Sequence, residues 1–139
     1  MIADLIKENT HLHHQALEAA MVRRIKGIAV AEDYVSLLAI FYSYFGGLEK
    51  RINLAISNAL PDLESRRKAG DLAKDIQYFG GELPALATGT DLPVIETHQQ
   101  AMAALYVIEG STLGGIYISK MIAKQLQLSS AAGLTFFEG

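Results

Sequence analysis

The chain has no cysteine and no tryptophan, and only three prolines. Without cysteine there is no disulfide, no thiolate metal site and no covalent attachment of a prosthetic group through Cys-x-x-Cys-His. A cysteine-free chain suits a reducing compartment, and cytoplasmic is the expected location. No uncharged apolar run reaches roughly 18 residues, so no transmembrane helix is predicted. Asp4 and Lys7 fall inside the first turns, which leaves no room for the apolar core of a signal peptide. An excess of basic charge is also missing: 12 Lys and Arg stand against 15 Asp and Glu, for a net charge of −3. With no basic run either, neither nucleic acid nor a membrane surface is expected as a partner.

What is present is an ordinary globular balance. Half of the 139 residues are hydrophobic and 19% are charged, enough for one domain with a single core. Few prolines leave room for long helices, and the punctuation predicts four. The first runs from about Asp4, as N-cap, to Lys26, with Gly27 ending it. Its apolar positions Ile6, Leu17, Ala20 and Met21 recur at helical spacing. The second is predicted over about Glu32 to Leu60. Pro61 and Asp62 open a third through to Phe79, stopped by Gly80 and Gly81. After a loop with Pro84, Gly89 and Asp91, a fourth is predicted from about Pro93 to Leu128. Short connections between long helices make the expected fold an all-α bundle. Residues 129–139 read as a turn entering an apolar segment at Thr135, Phe136 and Phe137, with an end that looks cut.

The first helix carries His11, His13 and His14. At about 100° per residue, His14 shares a face with Lys7 and Glu18, with Thr10 and Met21 close by. A carboxylate four residues from a histidine can hold one ring nitrogen and leave the other for a metal. Imidazole for iron, apolar walls and a cation for propionates together suit heme. The same residues read equally as a solvated helix face with an ordinary i, i+4 pair, and His13 as a core histidine.

The stretch from Tyr106 to Tyr117 holds Gly110, Gly114 and Gly115. Each helix-interior glycine costs roughly 0.5–1 kcal/mol relative to alanine, so something must offset three. Gly110 and Gly114 fall on one line with Ala103, Tyr106, Tyr117 and Met121, a notch where bare backbone can lie against a flat ligand. Close helix packing through small residues explains Gly110 and Gly114 as well, but gives no reason for Gly115.

Here two separate segments point one way. The run from Leu5 to Glu18 resembles the proximal helix of heme oxygenases, where Thr stands four residues before the iron-binding histidine and an acidic residue often follows four later. The run from Glu109 to Gly115 resembles their glycine-rich distal helix, closest to the bacterial branch associated with bacteriophytochromes. Phe41 to Glu49 and Asp75 to Gly80 resemble intervening segments. The resemblance implies His14 as iron ligand, Glu18 and Thr10 as its matching neighbours and Lys7 at a propionate position. It further implies Met21 and Tyr117 beside heme b, and Gly110, Gly114 and Gly115 over the ring. Gly110, Ser111 and Gly114 would form the catalytic distal surface. The implied reaction cleaves heme, with O2 and electrons, to biliverdin, CO and ferrous iron. A reductase or ferredoxin would supply the electrons, and a bacteriophytochrome would use the product.

Two departures bear on this. Ser111 stands where many members carry Asp, so proton delivery is expected to differ. Members are usually longer, so the expected domain over 1–139 is a heme oxygenase-like bundle without the C-terminal helices. A heme-binding or regulatory relative without turnover is the second class. A ferritin-like di-iron protein is a third: Glu8 and His11 form one Glu-x-x-His pair, but that site needs two.

Overall fold

The computed structural model describes residues 2–56, 69–110, 115–130 and 132–138. At several positions, among them Lys7, Thr10, His14, Glu18 and Gly110, only the backbone is described. The described residues form six α-helices and one short 3-10 turn, with no strand among them. They are α1 (Ile2–Lys26), α2 (Ala31–Ala55), α3 (Ala69–Tyr78), α4 (His98–Gly110), α5 (Gly115–Gln125) and α6 (Thr135–Glu138). The all-α expectation therefore holds. None of these helices is long and apolar enough to cross a membrane.

The first predicted helix ends where expected but already includes Asp4, which is therefore not its N-cap, and the second starts as expected but stops at Ala55, with Ile56 extended, short of Leu60. Gly27 ends α1, its N–H donating to the carbonyls of Arg23 and Arg24. The start of α2 is secured by Asp33, whose carboxylate accepts the N–H groups of Ala29 (3.0 Å) and Val30 (3.2 Å). Those two bonds hold its pKa below the usual carboxylate value. The expected opening of α3 at Pro61 and Asp62 lies outside the described residues.

The fourth predicted helix needs correction. Residues 93–97 are not helical, and α4 begins at His98. Thr97 Oγ1 accepts the Gln100 N–H at 3.1 Å, while Gln100 Oε1 accepts the N–H groups of Glu96 and Thr97. This reciprocal capping box outcompetes Pro93 as a helix start because it satisfies orphan donors. Pro93 instead keeps an extended loop, with its carbonyl bound to Arg51. Beyond the described end of α4, Ser111 to Gly114 lie outside the described residues, and α5 resumes at Gly115.

Helix α2 is the spine. Its first half packs Tyr34, Leu37 and Leu38 against Ile25 and Ile28, Leu72 and Ile76 of α3, Ile122 of α5, and Phe136 and Phe137 of α6. Its second half, with Ile56 just beyond it, packs Leu48 and Ile52 against Leu92 and against Ala101, Leu105 and Ile108 of α4. Phe45 touches both clusters and joins them. Helix α1 is fastened near its end by Gln125, whose side-chain amide donates to the carbonyls of Ile25 and Ile28, both at 2.8 Å.

The loop ahead of α4 lies directly on α2. Gly46 and Gly47 admit it: a Cβ at Gly47 would collide with the Ala87 carbonyl oxygen, and one at Gly46 with the Leu86 side chain. Ser43 pins the same stretch, its hydroxyl donating to the Ala85 carbonyl at 2.8 Å while its own carbonyl accepts the Ala87 N–H. Arg51 then gathers the carbonyls of Gly89, Leu92 and Pro93 at 2.8–3.3 Å.

Candidate functional site

Helices α4 and α5 each bury one face and leave the other uncovered. In α4 the buried positions Ala101, Leu105 and Ile108 follow helical spacing onto α2. The opposite side exposes Ala103, Tyr106 (80% exposed) and Val107 (67%). In α5 the buried residues are Gly115, Ser119 and Ile122, while Ile116 (60%) and Tyr117 (71%) face outward. The Ser119 hydroxyl is satisfied by the Ile116 carbonyl at 2.8 Å. Large apolar side chains thus stand uncovered on both sides of the glycine-rich segment, where an isolated globular surface would favour polar ones.

An apolar groove of about 420 Å³ adjoins this face between α2 and α4. Tyr44, Phe45 and Leu48 form its α2 wall, Ala103 and Val107 its α4 wall, and Val94 and Ile95 its lip. Arg51 holds the backbone of that lip through Pro93. The uncovered face and this groove suit a large, flat, mostly apolar ligand.

The expected site residues divide into three groups. Tyr117 is exposed on α5, and Ala103 and Tyr106 of the same expected line are exposed on α4. Met21 is half-buried and packs on the core cluster around Ile25, as does Met121. For Lys7, Thr10, His14 and Glu18 the backbone of α1 is helical, which sets Thr10, His14 and Glu18 one turn apart on one face. Their side chains lie outside the described residues, as do Ser111, Gly114 and the surroundings of Gly110. On the same helix Ala20, expected on the apolar stripe, is exposed, and so are Glu8 and His11.

Gly115 has a clear structural occupation. A Cβ there would collide with the carbonyl oxygen of Phe137, so the missing side chain lets α6 press its backbone onto α5 at this residue. Close packing does give a reason for this glycine, a contact with α6 that spacing alone did not suggest.

A buried carboxylate stands at the other end of the same helical turn. Asp75 of α3 is 1% exposed and accepts the N–H groups of Thr135 (2.9 Å) and Phe136 (2.8 Å), the opening of α6. Burial pushes its pKa up, the two amides and the Thr135 hydroxyl pull it partly back, and Asp71 raises it further. Tyr34 completes the attachment by donating its hydroxyl to the Gly133 carbonyl at 3.2 Å. Burial, and then the neighbouring Asp75, push the Tyr34 phenol well above its usual value. A signal for Asp75 was available, since it lies between Leu72 and Ile76 on the core side of α3, where an unpaired carboxylate would be costly.

No curated protein and no solved structure matches the chain. The family model for heme oxygenase matches residues 1–139, its whole length. An all-helical chain matched from end to end, with an apolar face left open beside its glycine-rich segment, belongs to the heme oxygenase family.

Proposed function

We propose that this chain is an active heme oxygenase that binds one heme and opens its ring to biliverdin, CO and ferrous iron. The observation that carries the reading is the exposure of Ala103 and Tyr106 on α4 and of Tyr117 on α5, either side of the glycine-rich segment in sequence, in a member of this family. Heme supplies the iron at which O2 is activated, and a reductase or ferredoxin supplies the electrons.

The chain's own residues bind and orient. His14 would hold the iron through one imidazole nitrogen, and Glu18, one turn on, would fix the ring by accepting from the other. Lys7, two turns before His14, would pair with a propionate, and Thr10 would line the same side. Gly110 and Gly114 would keep the opposite side free of bulk, and the Ser111 hydroxyl would hold water for proton delivery in place of a carboxylate. Tyr106 and Tyr117 would cover the macrocycle and exclude bulk water. Ser111 also supports placing the chain in the bacteriophytochrome-associated branch, with biliverdin handed to such a photoreceptor.

Hemin titration followed by single turnover tests the reading. Wild-type protein should give a histidine-ligated Soret band, and a reductant with O2 should replace it by a biliverdin band. His14→Ala should abolish the histidine-ligated spectrum, whereas His13→Ala should leave it. A stable complex without ring opening would make the chain a heme-binding regulator, and no hemin binding at all would sink both readings.

A further inference from the structure

We propose that Asp75 is a positioning residue for α5 at Gly115: by capping α6 it seats the Phe137 carbonyl against that glycine and so sets where this end of the described helix lies. The inference deepens the proposed heme reading and rests on it for its catalytic meaning.

The chain of contacts is short and, apart from the exposed Thr135, buried. Asp75 binds two consecutive amides of α6 with its two carboxylate oxygens, one each. Such a bidentate cap fixes both the position and the rotation of a single helical turn. Two residues on, the Phe137 carbonyl rests on Gly115 closely enough to exclude a Cβ. Phe136 and Phe137 are themselves buried against Phe41 and Phe45 of α2, so α6 is clamped from behind. Gly115 of α5 thus rests against a rigid stop whose own position is set by α3. No cation among the described residues offsets the Asp75 charge, and Asp71 adds repulsion. An apolar residue here would leave the first two N–H groups of α6 without their acceptor, so the carboxylate is kept for the cap despite the cost of burying it.

Two variants of the full chain separate this role from general stabilisation. Asp75→Asn keeps the shape but offers a donor where Phe136 N–H needs an acceptor. Thr135→Pro leaves Asp75 and its Phe136 N–H bond intact and deletes the Thr135 N–H and hydroxyl bonds, at a first-turn position that accepts proline. Hydrogen exchange on the hemin-free chains should show residues 115–119 and 135–138 losing protection at least tenfold, with 31–45 and 101–108 unchanged. Loss confined to 135–138, or equal loss everywhere, would overturn the proposal. In the hemin arm, both variants should shift the ferric spin-state ratio of bound hemin while its affinity stays within about twofold, because His14 sits on α1. An unchanged ratio in both would also overturn it. If wild-type protein binds no hemin, the heme reading fails alone and the exchange arm still decides on Asp75.

Discussion

Gly115 and Gly70 make a matched pair, because alanine should act on them in opposite directions. At Gly70 in α3 an added Cβ meets nothing within 4 Å. Gly70→Ala should therefore gain helix propensity, up to about 0.5–1 kcal/mol. At Gly115 the same methyl would overlap the Phe137 carbonyl oxygen, which is backbone and cannot rotate away. Relief requires α6 to back off, and α6 carries Phe136 and Phe137, each only 7% exposed. Overpacking of this kind costs roughly 1–3 kcal/mol, less about 0.5–1 kcal/mol returned by alanine propensity. The net expectation for Gly115→Ala is a loss of about 0.5–2 kcal/mol, and a melting temperature lower by roughly 2–8 °C. Urea unfolding and thermal melts of the hemin-free chain measure both variants. Should Gly115→Ala be neutral or stabilised without hemin and weakened only in hemin binding, this glycine faces the ligand and the α6 contact is not what requires it.

Three further expectations follow from the same contacts. Tyr34→Phe leaves the buried Gly133 carbonyl without its hydroxyl donor and should cost about 1–2 kcal/mol in urea unfolding; no loss would mean the 3.2 Å bond contributes nothing. Arg51→Ala frees three loop carbonyls and should speed proteolysis between residues 85 and 95, and Arg51→Lys should recover only part, because an ammonium lacks the two-nitrogen fork. Full protection in the lysine variant would refute the clamp. For Asp75 the folded pKa lies above the ordinary 3.8, so the folded state keeps this proton to higher pH than the unfolded chain. Stability from this group should thus fall as pH rises from 3.8 through the raised folded value, and Asp75→Asn should remove that slope. A wild-type slope in the asparagine variant would assign it to other groups.

The open face of α4 and α5 gives the family its local meaning here. Helix spacing already put Ala103, Tyr106 and Tyr117 on one line, and the structure leaves each of them uncovered. Met121, on that same line, is instead half-buried against the core cluster. A face read from periodicity is continuous in sequence, but its burial changes wherever a neighbouring helix begins.

Local chemistry was legible wherever it acts over one turn. Gly27 closing α1, Gly80 and Gly81 following α3, and the all-helical class all come from residues acting on their own neighbours. Even the true start of α4 was written in Thr97 and Gln100, though proline was read in their place. What no local pattern carries is contact across distance. The seat that Gly46 and Gly47 make for the loop at Ala87, the grip of Arg51 on three carbonyls, and the Asp75 cap that brings Phe137 onto Gly115 join residues 22 to 61 positions apart. Their partners are chosen by how helices pack around α2, and that choice exists only once the core has formed.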